Sequence, residues 1–145
     1  MKLTVEENPV YTDIEVDIRC PAIDRRVQAV MAAANALDAR LVGICKGDTL
    51  LVDAADVLYI ETVDDRTFLY GPDRVLESPL RLYELEAQLA GTEFIRASKS
   101  LLVNLDAVRG LRPYGNARLQ LLLTNGESVI ASRQYAPAIK QKIGL

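Results

Sequence analysis

The residues of this chain best suited to chemistry are cations set in short polar stretches: Arg66, Lys99, Arg109, Arg112, Arg118 and Arg133. Their N–H groups donate to anionic oxygens, and an arginine fork also matches the paired acceptors on a guanine edge, so the chemistry on offer is recognition rather than bond-making. The catalytic inventory is thin. There is no histidine, no G-x-S-x-G elbow, no G-x-x-x-x-G-K-[ST] loop, no G-x-G-x-x-G and no His/Cys/Asp ligand cluster. The usual nucleophilic, zinc and nucleotide-dependent chemistries are thereby set aside. Glu84 and Glu86 stand two apart on a predicted helix, so they do not face one another as an acid–base pair. The expectation is a binding protein, not an enzyme, with no cofactor, no metal and no small-molecule substrate.

The net charge of −3 opposes an anionic partner only when averaged over the chain. Residues 1–91 hold 9 Lys+Arg against 17 Asp+Glu, whereas residues 92–145 hold 8 against 3. The last third is a basic module, and its charge suits phosphate. The 145 residues suffice for one domain of about a hundred residues with a short appendage. The alanine-rich Val27–Leu37 stretch is far shorter than the roughly 20 apolar residues that span a bilayer, and the N-terminus carries no apolar secretory core. These features predict a cytoplasmic protein. Cys20 and Cys45, with no C-x-x-C pattern, read as small core residues.

The elements that must position these cations are short. Asp13–Cys20 alternates Asp13, Glu15, Asp17 and Arg19 with Ile14, Val16, Ile18 and Cys20, the period of a half-buried strand. Asp24 can cap a helix in which Val27, Val30, Met31, Ala34 and Leu37 recur at helical spacing. Lys46-Gly47-Asp48 turns Leu41–Cys45 into Thr49–Val52, Asp64-Asp65-Arg66 turns Val57–Val63 into Thr67–Tyr70, and Gly71-Pro72-Asp73 leads into Arg74–Glu77. Ser78-Pro79 resembles a capped helix start, with Leu82, Leu85 and Leu89 as its buried stripe and Gly91 as its stop. Phe94–Arg96, Leu101–Val103, Val108–Leu111, Arg118–Leu123 and Ser128–Ala131 read as strands, the last two joined through Asn125-Gly126. A final helix is predicted from Pro137 to Ile143. The tally of about ten short strands and three helices, rich in hairpins, predicts a mostly β (α+β) fold with mainly antiparallel strands in small sheets. An N-terminal strand-helix-strand extension over residues 1–45 precedes a domain over residues 46–145.

From about residue 50 the order of segments resembles the LytTR family. The run Phe94-Ile95-Arg96-Ala97-Ser98-Lys99-Ser100-Leu101-Leu102-Val103-Asn104 is similar to that family's F-x-R-x-x-[RKN]-S-x-x-V-N segment, and it follows the ADVLYIETVDDRTFLYG and SPLRLYELEAQL stretches and precedes ASRQY. The resemblance implies strands in three small sheets and DNA contacted by loops entering successive major grooves. Carried over, the contact segments are Asp65-Arg66-Thr67, Arg96 with Ser98-Lys99, and Arg133-Gln134-Tyr135. Where the family often has a bulkier residue and a histidine, this chain has Ala97-Ser98. Asn104 reads as a turn-fixing amide and Tyr59, Tyr70 and Tyr83 as core or half-core residues.

The resemblance implies a transcription regulator that recognises double-stranded DNA by sequence, as a homodimer on paired repeats. The 45 N-terminal residues are too short for the phosphoacceptor receiver domain that many such regulators carry. By analogy with other short regulators of this plan, a membrane-bound protein is an expected partner, and the extension is expected to serve dimerisation or that partner. The alternative class is a protein-interaction module of the same fold that does not bind DNA.

Overall fold

The computed structural model describes residues 1–145, the side chain of Asp38 excepted. Its regular elements begin with α1 (Arg25–Asp38), β1 (Arg40–Cys45), β2 (Asp48–Asp53), β3 (Tyr59–Val63), β4 (Arg66–Tyr70) and β5 (Val75–Ser78). These are followed by α2 (Leu82–Gln88), β6 (Phe94–Ser98), β7 (Leu101–Asn104), β8 (Val108–Tyr114), β9 (Arg118–Leu123), β10 (Ser128–Ala131) and α3 (Ala136–Lys142). Ten strands and three helices are present, as the hairpin-rich pattern predicts.

All strand pairs are antiparallel. Seven strands form one sheet in the order β2-β1-β5-β4-β3-β7-β6, and β10-β9-β8 form a second. The expected three small sheets are therefore two. The β1–β2 hairpin joins the larger sheet through one register pair, Ile44 with Glu77, which merges what would otherwise be a separate ribbon.

Two cores result from the period of two along β7. Leu102 points to one face, where it packs with Leu41, Ile60, Leu69, Leu76, with Leu82 and Leu85 of α2, and with Leu89 just past that helix. Leu101 and Val103 point to the other, against Leu119, Leu121 and Leu123 of β9 and Ile139 of α3. Every residue of β7 is buried, so this strand is the wall shared by both cores. Asn104 closes it: its Nδ2 donates to the Val57 carbonyl at 3.0 Å and its Oδ1 accepts from the Asp106 N–H at 3.0 Å. That is the turn-fixing role its position predicts.

Several expectations are corrected. Asp13–Cys20 is not a strand: it is irregular and exposed. Its alternation makes an amphipathic ribbon, but a strand also needs a neighbour for its N–H and C=O groups, and nothing in the fold pairs with it. α2 starts at Leu82 rather than after Ser78, because Ser78 is held in β5 opposite Thr67 and its hydroxyl accepts from the Leu80 N–H. The orphan N–H at the helix start, on Arg81, donates to Glu84 Oε1 at 3.0 Å instead. Cys20 is exposed and Cys45 half-buried, so neither is a full core residue. Tyr83 is exposed as well.

Candidate nucleic-acid interface

Three segments distant in sequence meet at one end of the larger sheet. The first is the two-residue turn between β3 and β4. Asp64 and Asp65 both have positive φ (52° and 62°), the geometry of a tight hairpin turn whose twist matches its strands and which aspartate tolerates better than most residues. It returns Arg66 opposite Val63.

The second is the Lys99-Ser100 turn between β6 and β7, where the register shifts between Arg96 and Ser98. The Ser98 hydroxyl accepts from the Ser100 N–H at 3.2 Å. Arg96 then clamps the turn: its Nη1 donates to the Lys99 carbonyl at 2.7 Å, while Nε and Nη2 grip the Glu86 carboxylate of α2 at 3.2 Å each. The third segment is the Ser132–Tyr135 loop leading into α3, closed by N–H bonds from Tyr135 and Ala136 to the Ser132 carbonyl at 3.0 and 2.9 Å.

Backbone hydrogen bonds fasten the three together. The Thr62 N–H donates to the Ser100 carbonyl at 2.9 Å, and the Ser132 N–H donates to the Ala97 carbonyl at 2.9 Å. The edge thus runs from β4 through β3, β7 and β6 to the Ser132 loop. At about 4.8 Å per strand this is roughly 19 Å, wider than a single major groove of about 12 Å.

The expected contact residues differ in availability. Lys99, Arg133 and Gln134 are exposed on turn apices, and among the described residues neither Lys99 nor Arg133 takes part in an ion pair. Arg66 is exposed but bound by Glu77, with Nε to Oε1 at 2.9 Å and Nη2 to Oε2 at 2.6 Å. This ion pair holds the Glu77 carboxyl below its ordinary value and raises Arg66 further. Arg96 lies behind its turn, its side chain 17% exposed, and positions Lys99 rather than projecting past it. Thr67 is buried, its hydroxyl 3.4 Å from that of Thr62, so this position presents no side chain at the surface. Ser98 and Tyr135 are half-buried.

The other basic residues do not join this edge through any bond to it. Arg118 lies over the Tyr114 ring at 4.6 Å and donates to the Gly115 carbonyl at 2.8 Å, closing the β8–β9 turn. Arg109 and Arg112 are exposed on β8. Tyr59 and Tyr70 stack on each other at 4.3 Å, and the Tyr59 hydroxyl donates to Glu127 at 3.0 Å. Burial, reinforced by Glu127, pushes the Tyr59 phenol well above its ordinary value. Both rings are thereby committed to the fold. The sequence reading missed Glu86, Thr62 and Ser132, whose contributions are a clamp and two backbone links that carry no signature in residue type.

The profile of the LytTr DNA-binding domain matches residues 47–144. The chain belongs to the LytTr DNA-binding domain family. A LytTr DNA-binding domain from Bacillus cereus, part of a protein described as a methyl-accepting/DNA response regulator, superposes with a TM-score of 0.71 at 24% identity, covering 74% of this chain and 99% of that one. Transcriptional regulators of Staphylococcus aureus, strains MSSA476 and NCTC 8325, are 30% identical over 147 residues, spanning 100% of this chain and 99% of theirs. Those relatives are named HTH-type. In this LytTr chain no two described helices follow one another, since β1 succeeds α1 and β6 succeeds α2, and Lys99 and Arg133 stand on turns, with Arg66 at the start of β4. No described helix is long and apolar enough to cross a membrane.

Proposed function

We infer that this LytTr protein is a transcription regulator that binds double-stranded DNA by sequence, through the loop edge just described. The observation that carries the reading is the pair of backbone bonds, Thr62 to Ser100 and Ser132 to Ala97, which gather Lys99, Arg133 and Gln134 on one rim. Lys99 and Arg133 supply donors for phosphate or a guanine edge, and Gln134 has the paired donor and acceptor that suit adenine. Arg66 and Tyr135 complete the contact set, Arg66 reaching DNA once a phosphate or base competes for it with Glu77, while Arg96, Ser98 and Thr67 shape the loops without themselves touching DNA.

In this reading residues 46–145 contact DNA and the part of residues 1–45 that precedes β1 serves self-association or partner control, because its acidic charge repels phosphate, while β1, with Leu41 in the core, belongs to the sheet. The protein acts in the cytoplasm as a homodimer on paired sites, and a membrane-bound protein is a candidate for its control. A gel shift on duplex DNA at two salt concentrations tests the central statement. Binding that weakens steeply with salt supports it. No shift at any salt leaves the fold as an interaction module that does not bind DNA.

A further inference from the structure

The apolar pattern of α1 and the surface by which α1 joins the domain lie on different sides of the helix. At 3.6 residues per turn, Val27, Val30, Met31, Ala34 and Leu37 make one stripe, and Arg25, Ala32, Asn35 and Ala36 make the opposite side. The second side holds the helix. Ala32 is the one buried residue among its described side chains. The Arg25 guanidinium donates to the Ile143 carbonyl and Asn35 Nδ2 to the Gly91 carbonyl. Just past the helix, the Ala39 carbonyl accepts from the Ala54 N–H. The large side chains at the middle and end of the first side face solvent: Val30 is 36% exposed, Met31 47% and Leu37 78%, with Ile23 at 67% one turn upstream, while Val27 and Ala34 are half-buried. A surface helix ordinarily turns its large apolar side chains inward and its alanines and amides outward. Here Val30, Met31 and Leu37 are turned outward while Ala32 is the residue turned in.

We propose that this stripe seats a second copy of the chain, with α1 packing antiparallel on α1 of the other copy across a two-fold axis level with Ala32. The proposal rests on the homodimer reading above and adds its surface. The stripe is self-complementary. Its apolar positions 27, 30, 34 and 37 are spaced three, four and three apart, so the same order is met from either end. One two-fold axis sets Val27 against Leu37 and Val30 against Ala34 in both directions, as an isologous contact requires.

The ends agree in charge. Arg25 is turned to the domain, but Arg26 stands in the first turn of α1 and its last residue is an aspartate, so antiparallel packing brings unlike charges and opposed helix dipoles together. Area also bears on the choice. A stripe of five residues is short of the roughly 800 Å² per partner of a standard interface. The exposed Ile14, Val16, Ile18 and Ile23 in the segment entering the helix provide apolar surface to extend it. This also gives the amphipathic ribbon of residues 13–20, unpaired within one chain, a place to bury its apolar side.

Sedimentation of the full-length protein and of its Val30→Glu/Leu37→Glu variant, alone and on a duplex enriched by selection, tests the proposal. The expected result is a dimeric wild type and a variant whose dimer dissociation constant is raised more than about a hundredfold. Circular dichroism stays unchanged, because both positions are exposed, and melting matches the wild type at protein concentrations low enough for both to be monomers. Affinity for a duplex trimmed to a single site stays unchanged too. Val42→Glu, at a comparably exposed apolar site on the sheet, leaves the dimer intact. A double variant that remains a dimer overturns this surface while the homodimer reading stands. A wild type that is monomeric both free and on DNA overturns both. Should the double variant lose its helix, Leu37→Ser alone must still weaken the dimer, and unchanged dimerisation then overturns the proposal.

Discussion

Replacing Lys99 by alanine isolates the contribution of the central loop, because the fold uses this residue only through its backbone. Its carbonyl accepts from Arg96, a bond that alanine keeps, and its side chain takes part in none of the ion pairs of the described residues. Any loss of DNA affinity therefore reports a contact and not a disturbed turn. If Lys99 meets a phosphate, the slope of log affinity against log salt falls by about 0.9 and affinity drops about fivefold at 0.15 M salt, on every sequence. If it reads a base edge, the loss is roughly 1–3 kcal/mol and preference relaxes at one position of the site. Arg40→Ala is the matched control, removing the same charge from a residue whose own partner is Asp53, 3.7 Å away at the start of β1. Titrating both variants by fluorescence anisotropy, on specific and random duplexes at two salt concentrations, separates these outcomes. A Lys99→Ala protein that binds both duplexes as the wild type does refutes the assignment of this loop to DNA.

Arg96→Met removes the clamp between Glu86 and the Lys99 carbonyl while keeping bulk. Urea unfolding should show a loss of about 1–2 kcal/mol, and gel shifts should show weaker binding, since a loosened Lys99 turn must be ordered on contact. Asn104→Ala leaves the Val57 carbonyl and Asp106 N–H without their partners and should destabilise by about 2–3 kcal/mol in the same assay. Tyr59 is held protonated in the folded state, its phenol raised by burial and by Glu127 above the ordinary value of 10.0. The unfolded chain ionises first, so the stability this group confers is complete below about pH 10 and is lost as pH climbs toward the folded value. Unfolding midpoints at pH 8 and pH 10.5 should therefore diverge less in Tyr59→Phe than in the wild type, and equal divergence would refute the linkage.

Much of the secondary structure was legible because it is set locally. Lys46-Gly47, Asp64-Asp65 and Asn125-Gly126 each supply residues that accept positive φ, and hairpins form at all three. The helical recurrence of Leu82, Leu85 and Leu89 marked a buried stripe, and all three are buried in the core under α2. The segment order that resembles the LytTR family led to the matched fold for the same reason: it is a pattern of types along the chain.

Availability of the candidate contacts was not legible, since it depends on partners brought in by other elements. Arg66 and Arg96 look like Lys99 and Arg133 in sequence, yet one is held by Glu77 from β5 and the other by Glu86 from α2. Thr67 sits in a matched segment but faces the interior, because register and not residue type decides which side of β4 it occupies. The amphipathic segments of the extension show the same division. The sequence alone determined that residues 13–20 and α1 each possess an apolar side, a property of spacing. Only the tertiary structure decided that neither side is buried within the chain, because burial needs a facing surface, and the sheet next to α1 is already filled by its own leucines and by α2.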